Sequence, residues 1–194
     1  MAVLIRLARA EDAPAIADIY RPYVAETRIT FEEEPPEPAE IARRIGQNPI
    51  HPWLTLEADG GVQGYASTAA MRVRAAYRWS VETGLYLRPE VQGRGFGRQL
   101  LTAHLELLER QGFVAAFATI GLPNPASVAL HEALGYTLVG IERACGFKLG
   151  AWADVGRWQK DLAPRTDAPS EPLPFALIEP SSGPGARIRL LFQG

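Results

Sequence analysis

An α/β or α+β class, a sheet of strands covered by helices, is what this sequence predicts, on three observations. Strand-like and helix-like hydrophobic periods alternate from the start of the chain to about residue 162. Of 194 residues, 47% are hydrophobic and 22% charged, enough for one globular domain with a sizeable core and too few for two comfortable ones. A glycine-rich turn at 93–97 joins an apolar strand to an amphipathic helix.

The elements follow in order. Residues 3–7 read as a strand. Asp12 is placed to cap the helix that follows, Pro14 suits its first turn, and Ile16, Ile19, Tyr20 and Tyr23 fall on one helical stripe. The Pro35-Pro36 pair sets off a second, shorter helix at 38–45. Runs at 53–58 and 62–68 flank Asp59-Gly60-Gly61, a hairpin signal with glycine where φ must be positive. Residues 80–87 form the next strand, stopped by Pro89. A helix over 97–110 sets Leu100, Leu101, Leu105 and Leu108 near one face, with Gly112 as its stop. Residues 114–121 read as a buried strand, 125–134 as a helix, 136–142 as a strand, and 155–161, with Trp158, as the last. From Ala163 to Gly185 six prolines recur among serines and glycines, a composition that neither propagates a helix nor joins a sheet interior. The domain is therefore residues 1–162, followed by a Pro-rich tail at 163–194 that lies on the surface or is disordered and has an apolar end at 188–192.

Composition removes several function classes. Twenty basic against 22 acidic residues leave a net charge of -2, so no basic field points to a nucleic-acid or anionic-membrane partner. Cys145 is the single cysteine, which excludes an intrachain disulfide framework and a multi-cysteine zinc site; it reads as a buried structural thiol. His51 and His104 have no metal-ligand spacing, and no metal is expected. Arg6 interrupts the apolar start, leaving no signal-peptide core, and no apolar run is long enough to span a bilayer. A cytoplasmic protein is expected.

The most informative segment runs from Leu85-Tyr86-Leu87 through Gln92-Gly93-Arg94-Gly95-Phe96-Gly97-Arg98. Three glycines in five residues let the backbone turn tightly and bring successive N–H groups to one anion. The helix behind them adds its dipole and unpaired first-turn donors, and Arg94 and Arg98 add mobile positive charge. These parts make a pyrophosphate cradle; a glycine-rich connector without a ligand is the alternative. A dinucleotide fingerprint needs glycine where Arg98 stands and an acid about 20 residues on, where 113–116 are apolar. The Gly-Lys-Ser/Thr of a nucleotide-hydrolase loop is absent.

Gln-x-x-Gly-x-Gly between such a strand and helix resembles the acyl-CoA signature of the GNAT superfamily of N-acyltransferases. The likeness extends to Ile120-Gly121-Leu122-Pro123-Asn124-Pro125-Ala126-Ser127, His131-Glu132-Ala133-Leu134-Gly135-Tyr136, Gly146-Phe147-Lys148 and Asp154-Val155-Gly156. With Thr30-Phe31 and Ala76-Tyr77-Arg78-Trp79 it is similar to the phosphinothricin / methionine sulfoximine N-acetyltransferase branch over residues 5–162. The resemblance implies a mixed, mostly antiparallel sheet with helices on both faces and splayed central strands. It implies acetyl-CoA as acyl donor and a homodimer. It also implies that the backbone at Leu85, Tyr86 and Leu87 bonds the pantetheine arm, one N–H facing the thioester oxygen, and that Asn124 and Ser127 contact the same arm. Both also suit a helix cap.

An amine acceptor is mostly protonated at neutral pH, so acetyl transfer needs a base. Glu82 is the candidate, on the strand leading to the turn, where its apolar neighbours would desolvate the carboxylate; the resemblance implies the same role. Glu82, Gly84 and Tyr86 share one face, beside Thr83, and Gly84 leaves room for an acceptor. His131 stands where many GNAT enzymes place a proton-donating tyrosine, and would donate to the leaving thiolate or bond the acceptor; Tyr136 reads as packing. Arg72 and Arg74 match basic positions near the branch's acceptor pocket, with Tyr77 and Phe31 as walls, and Met71 departs from an aromatic residue common there. The acceptor expected is thus a small amino-acid-like amine. A polyamine, an aminoglycoside or a protein N-terminus, and a non-catalytic acyl-CoA sensor, are the alternatives; a pure binding module needs neither Glu82 nor His131.

Overall fold

One sheet organises residues 3–178, which the computed structural model describes. Its strands are β1 (Leu4–Leu7), β2 (Leu54–Ala58), β3 (Gly61–Ala70), β4 (Ser80–Leu87), β5 (Ala115–Leu122), β6 (Thr137–Lys148) and β7 (Ala151–Asp161). They lie in the order β1-β2-β3-β4-β5-β7-β6, and every neighbouring pair is antiparallel except β4–β5. The two-residue turn of the β2–β3 hairpin holds Asp59 at φ 54° and Gly60 at φ 84°, the pair of left-handed residues that its tight geometry requires.

Helices cover both faces. α1 (Ala13–Glu26) and α2 (Pro38–Gly46) bury Ile16, Ile19, Tyr20 and Ile41 against Tyr65, with Trp53 and Tyr86 alongside. α3 (Phe96–Gln111) packs Leu100 and Leu107 onto Leu54, Leu56 and Ala66 from the other side. Its Leu101, Leu105 and Leu108 join Phe113, Ile120 and Trp158 in a second cluster, which α4 (Pro125–Ala133) borders through Val128 and Leu130. The alternation of side chains along β2 and β3 divides these clusters between the two faces.

Three expectations change. Asp12 occupies the N-cap position of α1, but its side chain caps nothing there; it accepts two hydrogen bonds of 2.7 Å from Arg6, which also reaches Glu57. Burial pushes the Asp12 carboxyl up, yet the Arg6 hydrogen bonds, the Arg9 amide and the guanidinium charge outweigh it and hold it below the usual range. β6 and β7 extend well past 142 and before 155, meeting at a hairpin turn where Leu149 and Gly150 have φ of 50° and 74°. Cys145 lies on that extension and is exposed, not buried.

The first part of the Pro-rich segment is laid against the body. The Leu173 N–H donates to the Gln111 carbonyl at 2.7 Å, and the Gln111 side-chain amide returns a bond to the Leu173 carbonyl at 2.8 Å. Ile178, 5% exposed, completes the cluster beneath α3. The apolar end at 188–192 lies outside the described residues.

One irregularity positions everything that follows. β4 and β5 pair only at Ser80↔Ala115, Val81↔Ala116 and Glu82↔Phe117, although they continue to Leu87 and Leu122. Beyond Glu82 they diverge, and a fork opens in the middle of the sheet.

Candidate active site

The fork is the inner end of a cleft of about 480 Å³. Leu85, Tyr86 and Leu87 form one wall on β4, and the alternating amides that no longer pair with β5 face the opening. Gln92, Gly93, Gly95, Gly97 and Arg98 close the mouth, while Asn124, Ser127 and His131 come from α4 on the opposite side. Gly93 and Gly95 have φ of 75° and 80°, in the left-handed region, and a Cβ at either would meet no protein atom within 4 Å. Both line the cleft, and the open space beside them leaves their backbone accessible to close approach. Gly97 sits where the first turn of α3 meets the sheet, a Cβ there standing 3.3 Å from Leu130 and 3.5 Å from Leu85 and Leu87.

Two residues of the turn face elsewhere. Phe96 is buried in the core cluster beneath α3, and the Arg94 guanidinium lies over its ring at 4.7 Å while pairing with Asp59 at 3.1 Å. The Asn124 side chain accepts the Ser127 N–H at 3.2 Å, so it caps α4 and lines the cleft at once. Gln92 donates to the Tyr23 hydroxyl at 2.8 Å, and Tyr23 in turn donates to the Leu87 carbonyl, tying the turn to β4.

A smaller pocket of about 210 Å³ lies under α1 and α2. Glu82 stands in it, half-buried; its apolar neighbours do not seal it from water as expected. Gly84 borders it, a Cβ there falling 2.8 Å from the Ser67 hydroxyl. Tyr86 is a wall, packed against Tyr20 at 4.7 Å and Tyr65 at 5.4 Å between ring centres. Burial drives the Tyr65 hydroxyl well above its usual range, and Tyr86 rises likewise, so these are neutral hydroxyls. Thr83, Gly84, Tyr86 and Thr119 border both cavities, so pocket and cleft meet at the fork.

A hydroxyl clasp, not read from the sequence, holds that junction. Thr83 is the first residue past the last β4–β5 pair; its hydroxyl donates to the Phe117 carbonyl at 3.1 Å and lies 3.1 Å from the Tyr136 hydroxyl. Tyr136, only 2% exposed, is packing as expected, and burial pushes its phenol up to about 12. His131 lies edge-on to it, with ring centres 4.9 Å apart. The His131 Nδ1 is 2.8 Å from the Ser127 carbonyl, which can only accept, so Nδ1 carries the proton and Nε2 the lone pair. Burial lowers its pKa, the Ser127 bond opposing.

The pocket contains groups that the sequence did not single out for it. Arg44 from α2 donates to both Glu32 carboxylate oxygens, at 2.8 and 3.1 Å, and Tyr20 donates to one of them at 3.2 Å. The Glu40–Arg44 spacing is the visible signal, since an i,i+4 pair marks one helix face. Arg72, Arg74 and Tyr77 are exposed on the β3–β4 connection and line neither cavity. Phe31 is 39% exposed, its ring resting on Gly146.

A splayed parallel pair beside a left-handed glycine turn is the arrangement that the sequence resemblance implied, and the Acetyltransferase (GNAT) domain family matches residues 5–156. The chain belongs to the GNAT acetyltransferase family. This GNAT chain is 42% identical over 173 residues to the phosphinothricin N-acetyltransferase of Streptomyces viridochromogenes, covering 89% of its own length and 92% of that enzyme. It is 35% identical to an L-methionine sulfoximine/L-methionine sulfone acetyltransferase of Pseudomonas aeruginosa over 174 residues, 87% of this chain and 100% of the relative. Among solved structures, a GNAT phosphinothricin acetyltransferase from Sinorhizobium meliloti in complex with acetyl-CoA superposes with a TM-score of 0.84 at 38% identity, covering 92% of this chain and 100% of that one. An acetyltransferase from Salmonella typhimurium with its cofactor acetyl-CoA gives 0.81 at 32% identity, covering 88% and 99%. This GNAT protein is an N-acetyltransferase.

Proposed function

We propose that this enzyme transfers the acetyl group of acetyl-CoA directly to the amine of a small amino-acid-like acceptor of the phosphinothricin, methionine sulfoximine or methionine sulfone type. The observation that carries it is the junction of cleft and pocket at the fork across Thr83, Gly84 and Tyr86. Donor and acceptor bound in the two cavities meet there without a carrier residue between them. The names of the relatives supply the acceptor class.

The cleft fits the donor. The Gly93–Gly97 amides and the first turn of α3 would hold its diphosphate, and the open amides of β4 and the Asn124–Ser127 turn its pantetheine arm. Bound there, the donor supplies an acetyl group already activated as a thioester. Glu82 takes the proton from the acceptor ammonium, freeing the nitrogen lone pair. The nitrogen attacks the thioester carbonyl carbon, and a β4 amide at the fork steadies the negative charge that develops on the carbonyl oxygen. The C–S bond then breaks, coenzyme A leaving as the thiolate and taking up the proton that the new amide nitrogen sheds. His131, with its Nε2 lone pair and lowered pKa, serves as a hydrogen-bond acceptor for the incoming amine or a water. This favours the second of its two expected roles, because a neutral imidazole in that tautomer has no Nε2 proton for a thiolate.

Thiol release from acetyl-CoA, measured against a panel of amino-acid analogues, polyamines and aminoglycosides, tests this reading. We expect turnover with the methionine sulfoximine and phosphinothricin class. Turnover confined to polyamines or aminoglycosides overturns the acceptor, and coenzyme A binding without turnover on any amine favours a sensor. A cytoplasmic location is part of this reading.

The same reading includes a homodimer. Among the described residues β6 is the edge of the sheet and pairs on one side only, yet it exposes Val139 by 60% and Leu138 by 50%, with Trp152 of β7 65% exposed beside the same hairpin. An unpaired apolar edge is a surface that proteins cover. Sedimentation equilibrium at micromolar concentration should return twice the chain mass, and a monomer at that concentration rules the dimer out.

A further inference from the structure

Lys148, the last residue of β6, lines neither cavity and is only 5% exposed. Taking an ammonium out of water is costly, so its place needs a reason. Its Nζ donates to the Thr30 carbonyl at 2.8 Å. Burial pushes the Lys148 pKa down, and the charges of Glu33 and Glu32 oppose that.

Thr30 belongs to the strap of residues 27–37 that joins α1 to α2, and this strap serves both cavities. Ile29 borders the cleft and Glu32 the pocket. Two glycines let the strap lie close to the sheet. A Cβ at Gly121 would stand 2.6 Å from the Arg28 carbonyl oxygen, and one at Gly146 would stand 2.2 Å from the Phe31 ring. The Thr30 hydroxyl is 2.6 Å from that of Tyr20, which donates to the Glu32 carboxylate held by Arg44. A chain of named contacts thus runs from the β6–β7 hairpin to a carboxylate in the acceptor pocket.

We propose that Lys148 is a positioning residue for acceptor binding: by tying the Thr30 carbonyl to the β6–β7 hairpin, it fixes Glu32 and its Arg44 partner where they meet the polar end of the acceptor. The Glu32–Arg44 pair offers lone pairs and N–H donors side by side, which suits an acceptor whose far end both donates and accepts hydrogen bonds. The proposal rests on the acceptor assignment made above. Lys148 touches no reacting atom, so its loss leaves the chemical step alone and acts through the strap, chiefly on acceptor affinity. The strap brings the polar Glu32–Arg44 pair to the pocket and only the apolar Ile29 to the cleft.

Lys148→Met keeps the length of the side chain and removes the donor. We expect the acceptor KM to rise about tenfold, with kcat and the coenzyme A Kd within about twofold of wild type. Amide hydrogen exchange over 27–34 should accelerate, and Lys148→Arg should recover most of the acceptor affinity. A folded Lys148→Met variant with unchanged acceptor KM or unchanged exchange overturns the proposal. A parallel loss of coenzyme A affinity and kcat overturns it too, since that is a general structural defect. If Lys148→Met does not fold, Lys148→Gln, shorter and neutral, replaces it, and the same changes in KM and exchange support or overturn the proposal. Absence of turnover in the wild type counts against the acceptor assignment, and hydrogen exchange over 27–34, which needs no acceptor, then decides whether Lys148 holds the strap.

Discussion

Glu82→Gln is expected to lower kcat by about 10²–10⁴ while the coenzyme A Kd stays within about twofold of wild type. Glutamine matches glutamate in shape and retains one acceptor oxygen, so packing at the fork is preserved and only the capacity to take a proton is lost. Glu82 is well placed for this separation, because it borders the acceptor pocket and not the donor cleft. It is also firmly held, paired with Ala69 on one side and Phe117 on the other, at the last rung before β4 and β5 part. The carboxylate therefore stands at the base of the fork with its backbone fixed on both sides and its side chain partly buried. Steady-state thiol release and calorimetric titration measure the two quantities independently. An unchanged kcat removes Glu82 from the chemistry and turns attention to His131, whose Nε2 lone pair makes it a base lining the cleft.

What could be read from the sequence was local or periodic. β4 falls at 80–87 as expected because its alternation is uninterrupted and Pro89 ends it, and α3 is bounded by glycines that must be left-handed. β6 escaped beyond 142 because its alternation breaks: the register against β7 slips between Glu142 and Gly146, where Ala144 takes φ 44°. Asp12 was misread because capping and ion pairing both call for a carboxylate, and Arg6 comes beside it only once β1 lies against α1. The acceptor pocket was the least legible part. Tyr20 counts as one more apolar stripe residue until Glu32, 12 positions along, folds back onto it with Arg44, 12 positions beyond Glu32, as its partner. The two cavities differ in this respect. Both draw on several elements, but the mouth of the cleft comes from one continuous turn with a recognisable glycine pattern. Tyr20, Glu32, Arg44 and Glu82 of the pocket come instead from α1, the 27–37 connection, α2 and β4, with no shared local signal.

Gly95→Val is expected to weaken coenzyme A binding by about 100-fold or more, with a smaller loss of thermal stability. Two costs combine. Gly95 has φ 80°, and an L-residue there loses about 1–2 kcal/mol in the left-handed region, more so when β-branched. Some of that is relieved by rotating the peptide, which swings an N–H away from the anion and forfeits a charge-assisted hydrogen bond of about 1.5–3 kcal/mol. The added methyl groups meet no protein atom near their Cβ, so the core beneath is undisturbed, and on the proposed reading they crowd the diphosphate held by this turn. Gly97→Ala separates the two effects. Its φ is not left-handed, and its Cβ would meet the Leu130, Leu85 and Leu87 side chains that line the cleft. It therefore adds bulk at the cleft without the backbone strain and should weaken coenzyme A binding less than Gly95→Val does. Equal coenzyme A affinity in Gly95→Val and wild type, measured by calorimetry on folded protein, reduces the turn to a connector. The diphosphate would then need another anchor, and the exposed Arg98 at the cleft mouth is the cation placed to provide it.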